Sequence, residues 1–499
     1  MKPIISVENM RKSDAQEIAT RTSGRELMYR ASRGIYKSVS WGGRIGIVCG
    51  TGNNAGDGYA LALILKENGY EPELILIKEK LSIDGEYYFE MCKNAGISVV
   101  FSAEKENFSE YSILVDCILG TGFVGEPRDE VRRAIEKINE SGAYVVSADI
   151  NSGLNGDTGL AVCAVKSDIT VSIGTLKTGH ILAQAKDLIC KLVNVDIGIP
   201  LAEKPMYLVE GEDCKVAFAK RPFFSHKGTY GYATLIGGSL EYSGAIKLVN
   251  IALSAMRSGA GVIRLATAKS IACAVTPHLL ESTFYPLDDE NGHIKFNPVQ
   301  IDGALKGVKA VAIGMGIGQD SDAYEIIEHI LKNYEIPLVI DADGLNALSK
   351  GDMSILKSTK CSVILTPHLG EFERLSGISV AKILENPTER AREFARKYNV
   401  TLLLKGTATI VTDGEEIYLI NRGASGMATA GSGDVLSGIL LGLCAQNNAP
   451  TSQIVNAYTS AYINGLAGEL ASQELGDISM LSSDTASKIP QAISQIINS

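Results

Sequence analysis

The chain has 499 residues, 45% of them hydrophobic and 21% charged, with a formal net charge of −10. That length exceeds what one hydrophobic core organises and predicts two or three domains. The acidic balance argues against a nucleic-acid partner, which calls for a basic patch or tail, and is read as colloidal solubility.

Nine cysteines lie scattered with no C-x-x-C pair, so neither a disulfide framework nor a zinc site is expected, and a reducing cytoplasm is the expected location. The N-terminal "MKPIISVENMRKSDAQ" breaks into charge too early for a secretory signal. No apolar run approaches the roughly eighteen residues of a membrane span, so no membrane partner is expected.

Residues 5–40 read as charged helices. Strands then alternate with helices: "RIGIVCG", "PELILI", "ISVVF", "SILVDCIL", "AYVVSADI", "DITVSIG" and "CKLVNVDIG". Several are near-continuous apolar runs, as in a parallel sheet covered on both faces, and the intervals suit crossover helices. This predicts a Rossmann-like, doubly wound α/β domain over residues 1–210. Between Pro200 and Lys227 periodicity is lost and prolines and charges mark a linker region. A second α/β series follows over residues 215–499, with "YATLIGG", "GVIRLAT", "AVAIGMG", "PLVIDADG", "SVILTP" and "TLLLKG", a hairpin-like "TATIVTDGEEIYLI" and closing helices.

"GTGNNAGDG", residues 50–58, turns the first strand of this series into a helix. Its glycines and the free N–H groups of a helix start suit a phosphate, although glycine can also serve turn geometry alone. A redox dinucleotide site also wants an acidic residue ending the next strand, and Glu79 in "LILIKEK" fits that place poorly. Asn53, Asn54 and Asp57 add polar groups that need a cation or polar substrate to satisfy them. Asp116 in "DCILGTGFVGEP" and Asp149 in "SADINSGLNGDTG" end two further strands, with Ser152 three residues after Asp149. Each carboxylate alone is better explained as a helix N-cap than as part of a site. Together they converge at the carboxyl edge of the sheet, and oxygen ligands there suit a hard cation.

These three motifs, in this order, resemble the NAD(P)H-hydrate epimerase family over nearly all of residues 1–200. The resemblance implies epimerisation of NADH or NADPH hydrated at C6 of the nicotinamide ring (NADHX and NADPHX). It implies that Asn53, Asn54, Ala55, Gly56 and Asp57 line the substrate. So do Gly120, Thr121, Gly122, Phe123, Val124, Gly125 and Glu126. Asn54, Asp116 and Ser152 would hold potassium, and Asp149 would sit at the reacting ring as the acid–base group. Ala55 replaces a usual glycine and Asn151 a usual proline; Ala55 requires a negative φ.

In the second half, "GMATAGSGDVLSGILLG" (426–442) places small residues before a helix beginning near Gly433, with Asp434 in its first turn. An Asp there can serve the helix dipole, or act as base for a hydroxyl attacking a bound phosphate. The motif resembles the ribokinase-like superfamily. With "HKGTYGYATLIGGSLEYSGA", "IGMGIG", "DADGLNAL", "TPHLGEFERL" and "LKGTATIV", it resembles the ADP-dependent NAD(P)H-hydrate dehydratase family over residues 215–499. The resemblance implies that Ala245, Gly316, His368 and Asp434 contact the hydrated dinucleotide, with Asp434 catalytic. ADP, the co-substrate, would meet Lys405, Gly406, Thr407, Ala408 and Thr409. It would also meet the loop of Ser425, Gly426, Met427, Ala428, Thr429, Ala430, Gly431, Ser432 and Gly433, with Mg2+ on its phosphates. Ala424–Ser425 stand where Asn–Pro is usual, Ala430 for a glycine and Leu369 for a proline.

The expected protein is therefore a bifunctional repair enzyme, as a homo-oligomer, acting on small molecules. A small-molecule kinase fused to a regulatory domain shares Asp434 but does not explain "TPHLGE" or the first-half motifs. A first half that binds dinucleotides or a protein partner without turnover is the other alternative; an oxidoreductase is the weakest.

Overall fold

The computed structural model describes residues 1–240, 244–446 and 451–498, the side chains of residues 244–250 excepted. The chain divides into two compact units: Pro3–Met206, and Tyr207–Ser499 together with Met1–Lys2.

The first unit is built on a parallel seven-stranded sheet. Across it, in spatial order, run Ser98–Phe101, Pro72–Leu76, Ile45–Cys49, Ile113–Cys117, Tyr144–Ala148, Ser167–Ile173 and Ile189–Val195. The order reverses between Ile45–Cys49 and Ile113–Cys117, which pair with Val48 opposite Asp116 and Cys49 opposite Cys117. Every residue of these two strands is buried, the outcome predicted by their unbroken apolar character. Ile45, Ile47 and Cys49 face a core shared with Met28, Ile35, Tyr59 and Leu61 of helices Gly24–Ser38 and Asn53–Glu67. Val48 points the other way, into a core with Ala134, Ile135 and Ile138 of helix Asp129–Glu140. A period of two thus gives each strand two dry faces.

The charged lead-in forms two helices, Val7–Thr20 and Gly24–Ser38, each capped by a serine, Ser6 and Ser23. A preceding strand, Lys2–Ile5, had no counterpart in the periodicity; its Ile4 pairs with Leu176.

The second unit carries a larger sheet. Its parallel part runs, in spatial order, Thr283–Leu287, Val262–Ala268, Tyr232–Ile236, Ala310–Ile313, Pro337–Ile340, Ser362–Leu365 and Thr401–Leu404. Thr409–Thr412 and Ile417–Ile420 then continue it antiparallel, the predicted hairpin. Thr283–Leu287 escapes periodicity because Pro286 interrupts it; the ladder tolerates that proline because the strand lies at the sheet edge. Helices Gly244–Arg257, Ser432–Ala445 and Gln453–Leu475 complete the unit.

Candidate functional site

In the first unit the carboxyl ends of the strands and the lead-in helix enclose a cavity of 540 Å³. Thr51, Gly52, Asn53, Asn54 and Asp57 line one side, and Ile118 to Phe123 another. Gly52 is the N-cap of helix Asn53–Glu67 and offers no capping side chain, so the first-turn N–H groups are left for a ligand. Ala55 lies inside that helix, the negative-φ conformation it requires, but is buried away from the cavity. Gly56 backs onto Met28: an added Cβ would come within 2.4 Å of its methyl carbon. Val124, Gly125 and Glu126 are absent from the lining; Val124 is exposed and Glu126 pairs with Arg132.

Just behind Leu119 the structure brings Asn54, Asp116 and Ser152 together. The Asn54 amide donates to the Leu119 carbonyl at 2.9 Å, and the Leu119 N–H donates to Ser152 Oγ at 2.8 Å. Asp116 accepts from Ser152 N at 2.8 Å, from Ser147 Oγ at 3.1 Å, from Ile118 N at 3.2 Å and from Ser152 Oγ. Its complete burial pushes the carboxyl pKa up, and these donors pull it back. Asn54 Oδ1 is buried with no partner. An orphaned amide oxygen beside a hydroxyl, a backbone carbonyl and one carboxylate fits a weakly charged, oxygen-seeking cation. Among the described residues no cluster of three or more His, Cys, Asp or Glu side chains could hold a metal.

Asp149 lines the cavity with a left-handed φ of 64°. The Ile150 N–H donates to the Ala148 carbonyl at 2.8 Å, so Asp149 is the centre of a three-residue turn whose strain marks a constrained position. Its side chain accepts from Lys177 Nζ at 2.6 Å and from Ile173 N at 3.2 Å. Lys177, 1% exposed, also donates to the Ile173 carbonyl at 2.7 Å. His180 Nε2 lies 2.7 Å from the Asp149 carbonyl, and its Nδ1 accepts from Lys177 N. Burial, then the neighbouring Lys177 charge, lowers the His180 pKa to about 4. Two more carboxyls reach the cavity. Asp57 is pushed well up by burial, then by Asp149 and Asp14. Asp14, on the lead-in helix, is raised to about 6 by burial and the charge of Asp149, against the pull of Lys177.

Asn151, fully buried, gains a network that the usual proline lacks. Its amide nitrogen donates to the Val165 carbonyl, Ser167 Oγ and the Leu188 carbonyl at 2.9–3.1 Å, and its oxygen accepts from Thr170 Oγ1. The loop before Ser152 is thereby pinned without a fixed φ.

In the second unit the carboxyl strand ends converge again. Asp341 follows Pro337–Ile340, His368 follows Ser362–Leu365, and Lys405 follows Thr401–Leu404. His368 and Lys405 form a parallel β-bridge. Lys405 Nζ donates to Asp341 Oδ1 at 2.9 Å and lies 3.9 Å from Glu371. Asp341, Glu371 and Asp434 together raise the Lys405 pKa against its burial. Asp341 also accepts from Ser437 Oγ at 2.6 Å, tying the strand end to helix Ser432–Ala445. That helix starts from Gly431, whose φ of 92° only glycine adopts without strain. Gly433 lies so close to Lys405 that an added Cβ would be 3.3 Å from Nζ. The expected Asp434, Gly433 and Lys405 thus meet.

His368 caps helix Leu369–Ser376: its Nδ1 accepts from Gly370 N at 3.0 Å and Glu371 N at 3.3 Å, with the ring half exposed. Gly316, with φ 62°, packs over Gly238, the nearest atom to its missing Cβ at 4.0 Å. Ala245 belongs to helix Gly244–Arg257, but its side chain lies outside the described residues. Within the loop, Ser425 Oγ donates to Asp477 at 2.6 Å and Gly426 N to the same carboxylate at 3.4 Å. Ala408 is buried and Thr409 begins the hairpin, so that end of the Lys405–Thr409 segment is part of the sheet. Sequence reading missed Asp14, Lys177 and His180 in the first unit, and Asp341, Ser437 and Asp477 in the second. Only "DADG" carried a signal, as an acidic pair ending an apolar strand.

Two α/β units, each with a glycine-framed strand-end site, define a two-domain enzyme whose second half has the ribokinase-like fold. A ribokinase-like superfamily protein from Enterococcus faecalis aligns with TM-score 0.50 and 24% identity, covering 60% of this chain and 99% of its own. A hypothetical protein from Streptococcus mutans aligns with TM-score 0.51 and 25% identity, covering 58% and 99%. Residues 233–491 match the family model described as NAD(P)H-hydrate dehydratase, and residues 24–179 the one described as the YjeF-related protein N-terminus. The bifunctional NAD(P)H-hydrate repair enzyme Nnr of Hyperthermus butylicus is 34% identical over 95% of this chain and 89% of its own. That of Archaeoglobus fulgidus is 32% identical over 94% and 93%. The chain belongs to the bifunctional NAD(P)H-hydrate repair enzyme family. Among the described residues no helix is long and apolar enough to cross a membrane.

Proposed function

We propose that this chain repairs hydrated nicotinamide cofactors, with residues 1–210 interconverting the C6 epimers of NADHX and NADPHX and residues 215–499 dehydrating the S epimer. The observation that carries the first half is the strained Asp149, ion-paired with buried Lys177 at the wall of a cavity floored by a helix N-terminus. The hydrated carbon bears both a hydroxyl and the ring nitrogen, so moving one proton opens the way to either epimer. Asp149 is positioned for that transfer. Asn54, Asp116 and Ser152 would hold potassium near the phosphate-binding turn, where it would add positive charge close to bound pyrophosphate.

In the second half, Asp434 takes the proton of the C6 hydroxyl, whose oxygen attacks the terminal phosphorus of ADP and releases AMP. The ring nitrogen then drives out phosphate, and C5 gives up a proton as the C5–C6 double bond forms. NADH or NADPH is regenerated with inorganic phosphate. Hydroxide leaves poorly, so transfer to phosphate supplies the thermodynamic pull. Lys405 and the N–H groups following Gly431 would hold the transferring phosphate. Mg2+ needs no dedicated cage here, since nucleotide phosphates supply most of its ligands. The same reading takes the protein to be a cytoplasmic homo-oligomer.

Paired variants test it. D149N should leave dehydration of the pure S epimer intact while stalling repair of a mixed pool at the S fraction. D434N should abolish dehydration and retain epimerisation. A D149N protein that clears the whole pool at the wild-type rate would remove Asp149 from the reaction.

A further inference from the structure

One wall of the first-unit cavity is the lead-in helix Val7–Thr20, which contributes Met10, Arg11, Asp14 and Ile18 to the lining. Arg11, Asp14 and Ile18 follow at spacings of three and four, and Met10 lies four before Asp14, which puts all four on one helical face. The helix is fastened at several points around the cavity. Val7 N donates to Asp157 at 2.7 Å, and Arg11 reaches the Gly122 carbonyl at 3.5 Å. Met10 packs so closely over Gly174 that a Cβ there would lie 3.1 Å from its methyl carbon. Asp14 is thereby held over the same space as Asp149 but from a different structural element. The charged groups facing it are Arg11 on its own helix and Asp57, Asp84, Asp149 and Lys177 from the others.

The geometry points to Asp14 as a second proton-transfer group of the epimerisation, serving the face of C6 that Asp149 does not, an assignment that rests on the epimerase reading above. An epimerase must break and remake one bond on opposite faces of one carbon, so a single acid–base group serves one face well and the other badly. Here the environments of the two carboxyls differ. Asp149 is ion-paired with Lys177. Asp14 is in no ion pair among the described residues, and burial raises its pKa to about 6, so it keeps a proton further up the pH scale than an exposed carboxyl does.

In one direction Asp14 donates its proton to the C6 hydroxyl oxygen. The C6–O bond breaks, its electron pair departs with water, and the ring-nitrogen lone pair forms the N1–C6 double bond. Water then adds to the opposite face of C6, the π pair returns to nitrogen, and Asp149 accepts the proton that this water releases. The reverse direction exchanges the two roles, and exchange with solvent restores the starting protonation.

The test uses the full chain, purified S or R epimer, and the approach to the epimer mixture with time, measured from about pH 5 to pH 8. D14N is expected to slow epimerisation ~10²-fold or more and to abolish the decline in rate as pH rises through about 6. D14E should recover part of the rate, and dehydration of the S epimer with ADP should be unchanged in both. In wild type, 18O from water should enter the C6 hydroxyl at the rate of epimerisation. Wild-type rate and pH profile in D14N would overturn the proposal. So would a slow D14N that keeps the decline near pH 6 and is not rescued by D14E, because that pattern belongs to a structural role. If D14N loses its cooperative unfolding transition, D14E decides alone: it must retain activity with a displaced pH profile. Failure of the wild-type chain to exceed the protein-free rate would instead refute the epimerase reading itself.

Discussion

Replacing Lys177 by Met removes the cation from a pocket in which it is 1% exposed and bonded to both Asp149 and the Ile173 carbonyl. Methionine matches the stem in volume but leaves the carboxylate without its partner. Losing one member of a buried ion pair costs about 3–5 kcal/mol. Asp149 keeps 17% side-chain exposure towards the cavity, so water compensates part of the loss and about 3 kcal/mol is expected. The chain's single tryptophan, Trp41, lies in the first unit, stacked 6.3 Å from Tyr36 and donating to its carbonyl. Its fluorescence in a urea titration therefore reports this unit and not the other. K177M should lower the first unit's unfolding free energy by that amount and epimerisation ~10²-fold or more, leaving dehydration untouched. K177R should not restore either property, because a guanidinium does not fit a site closed around an ammonium. A K177M protein within 0.5 kcal/mol (about the scatter of neutral surface changes) and with wild-type epimerisation would refute this.

Two buried groups of the first unit link its stability to pH between about 4 and 6.5, with opposite signs. His180 in the folded chain stays neutral down to about 4, whereas unfolded histidine takes a proton near 6.5. Its contribution is complete above about pH 6.5 and is lost as pH falls towards 4, about 3 kcal/mol in all. H180N should flatten that slope of the Trp41 transition. Asp14 acts with the opposite sign: its folded pKa of about 6 lies above the unfolded value, so its ionisation weakens the fold as pH rises through 6. D14N should therefore gain stability at pH 8 and little at pH 4. Removing the orphaned Asn54 oxygen with N54A should abolish any thermal stabilisation that KCl gives over choline chloride; an unchanged potassium effect would move the cation elsewhere. D341N leaves Lys405 with weaker support and frees Ser437, and should cut dehydration at least ~10-fold without altering epimerisation.

What the sequence revealed was what local pattern encodes. The apolar runs Ile45–Cys49 and Ile113–Cys117 gave the covered parallel sheet, and each glycine loop gave a strand end turning into a helix. Asn54, Asp116 and Ser152 were legible as a group because strand-end residues of a doubly wound sheet share one edge. Lys177 was not legible: in "TLKTG" it reads as a surface lysine, and only its pairing with a residue 28 positions away buries it. Asp14 was hidden for the converse reason. A helix rich in charge gives no sign of which charge faces inward until Met10 meets Gly174 and Arg11 meets Gly122. Val124 and Glu126 shared a motif with Gly120 and Thr121, yet the loop turns them outward. Spacing along the chain does not determine that.

The most direct measurement offers the full chain a mixture of both hydrated epimers with ADP, ATP or no nucleotide, and follows the absorbance of reduced cofactor. Recovery that depends on nucleotide and continues past the S fraction to the whole pool is the predicted result. Recovery that stops at the S fraction would contradict the epimerase half, and no recovery with either nucleotide would contradict the dehydratase half.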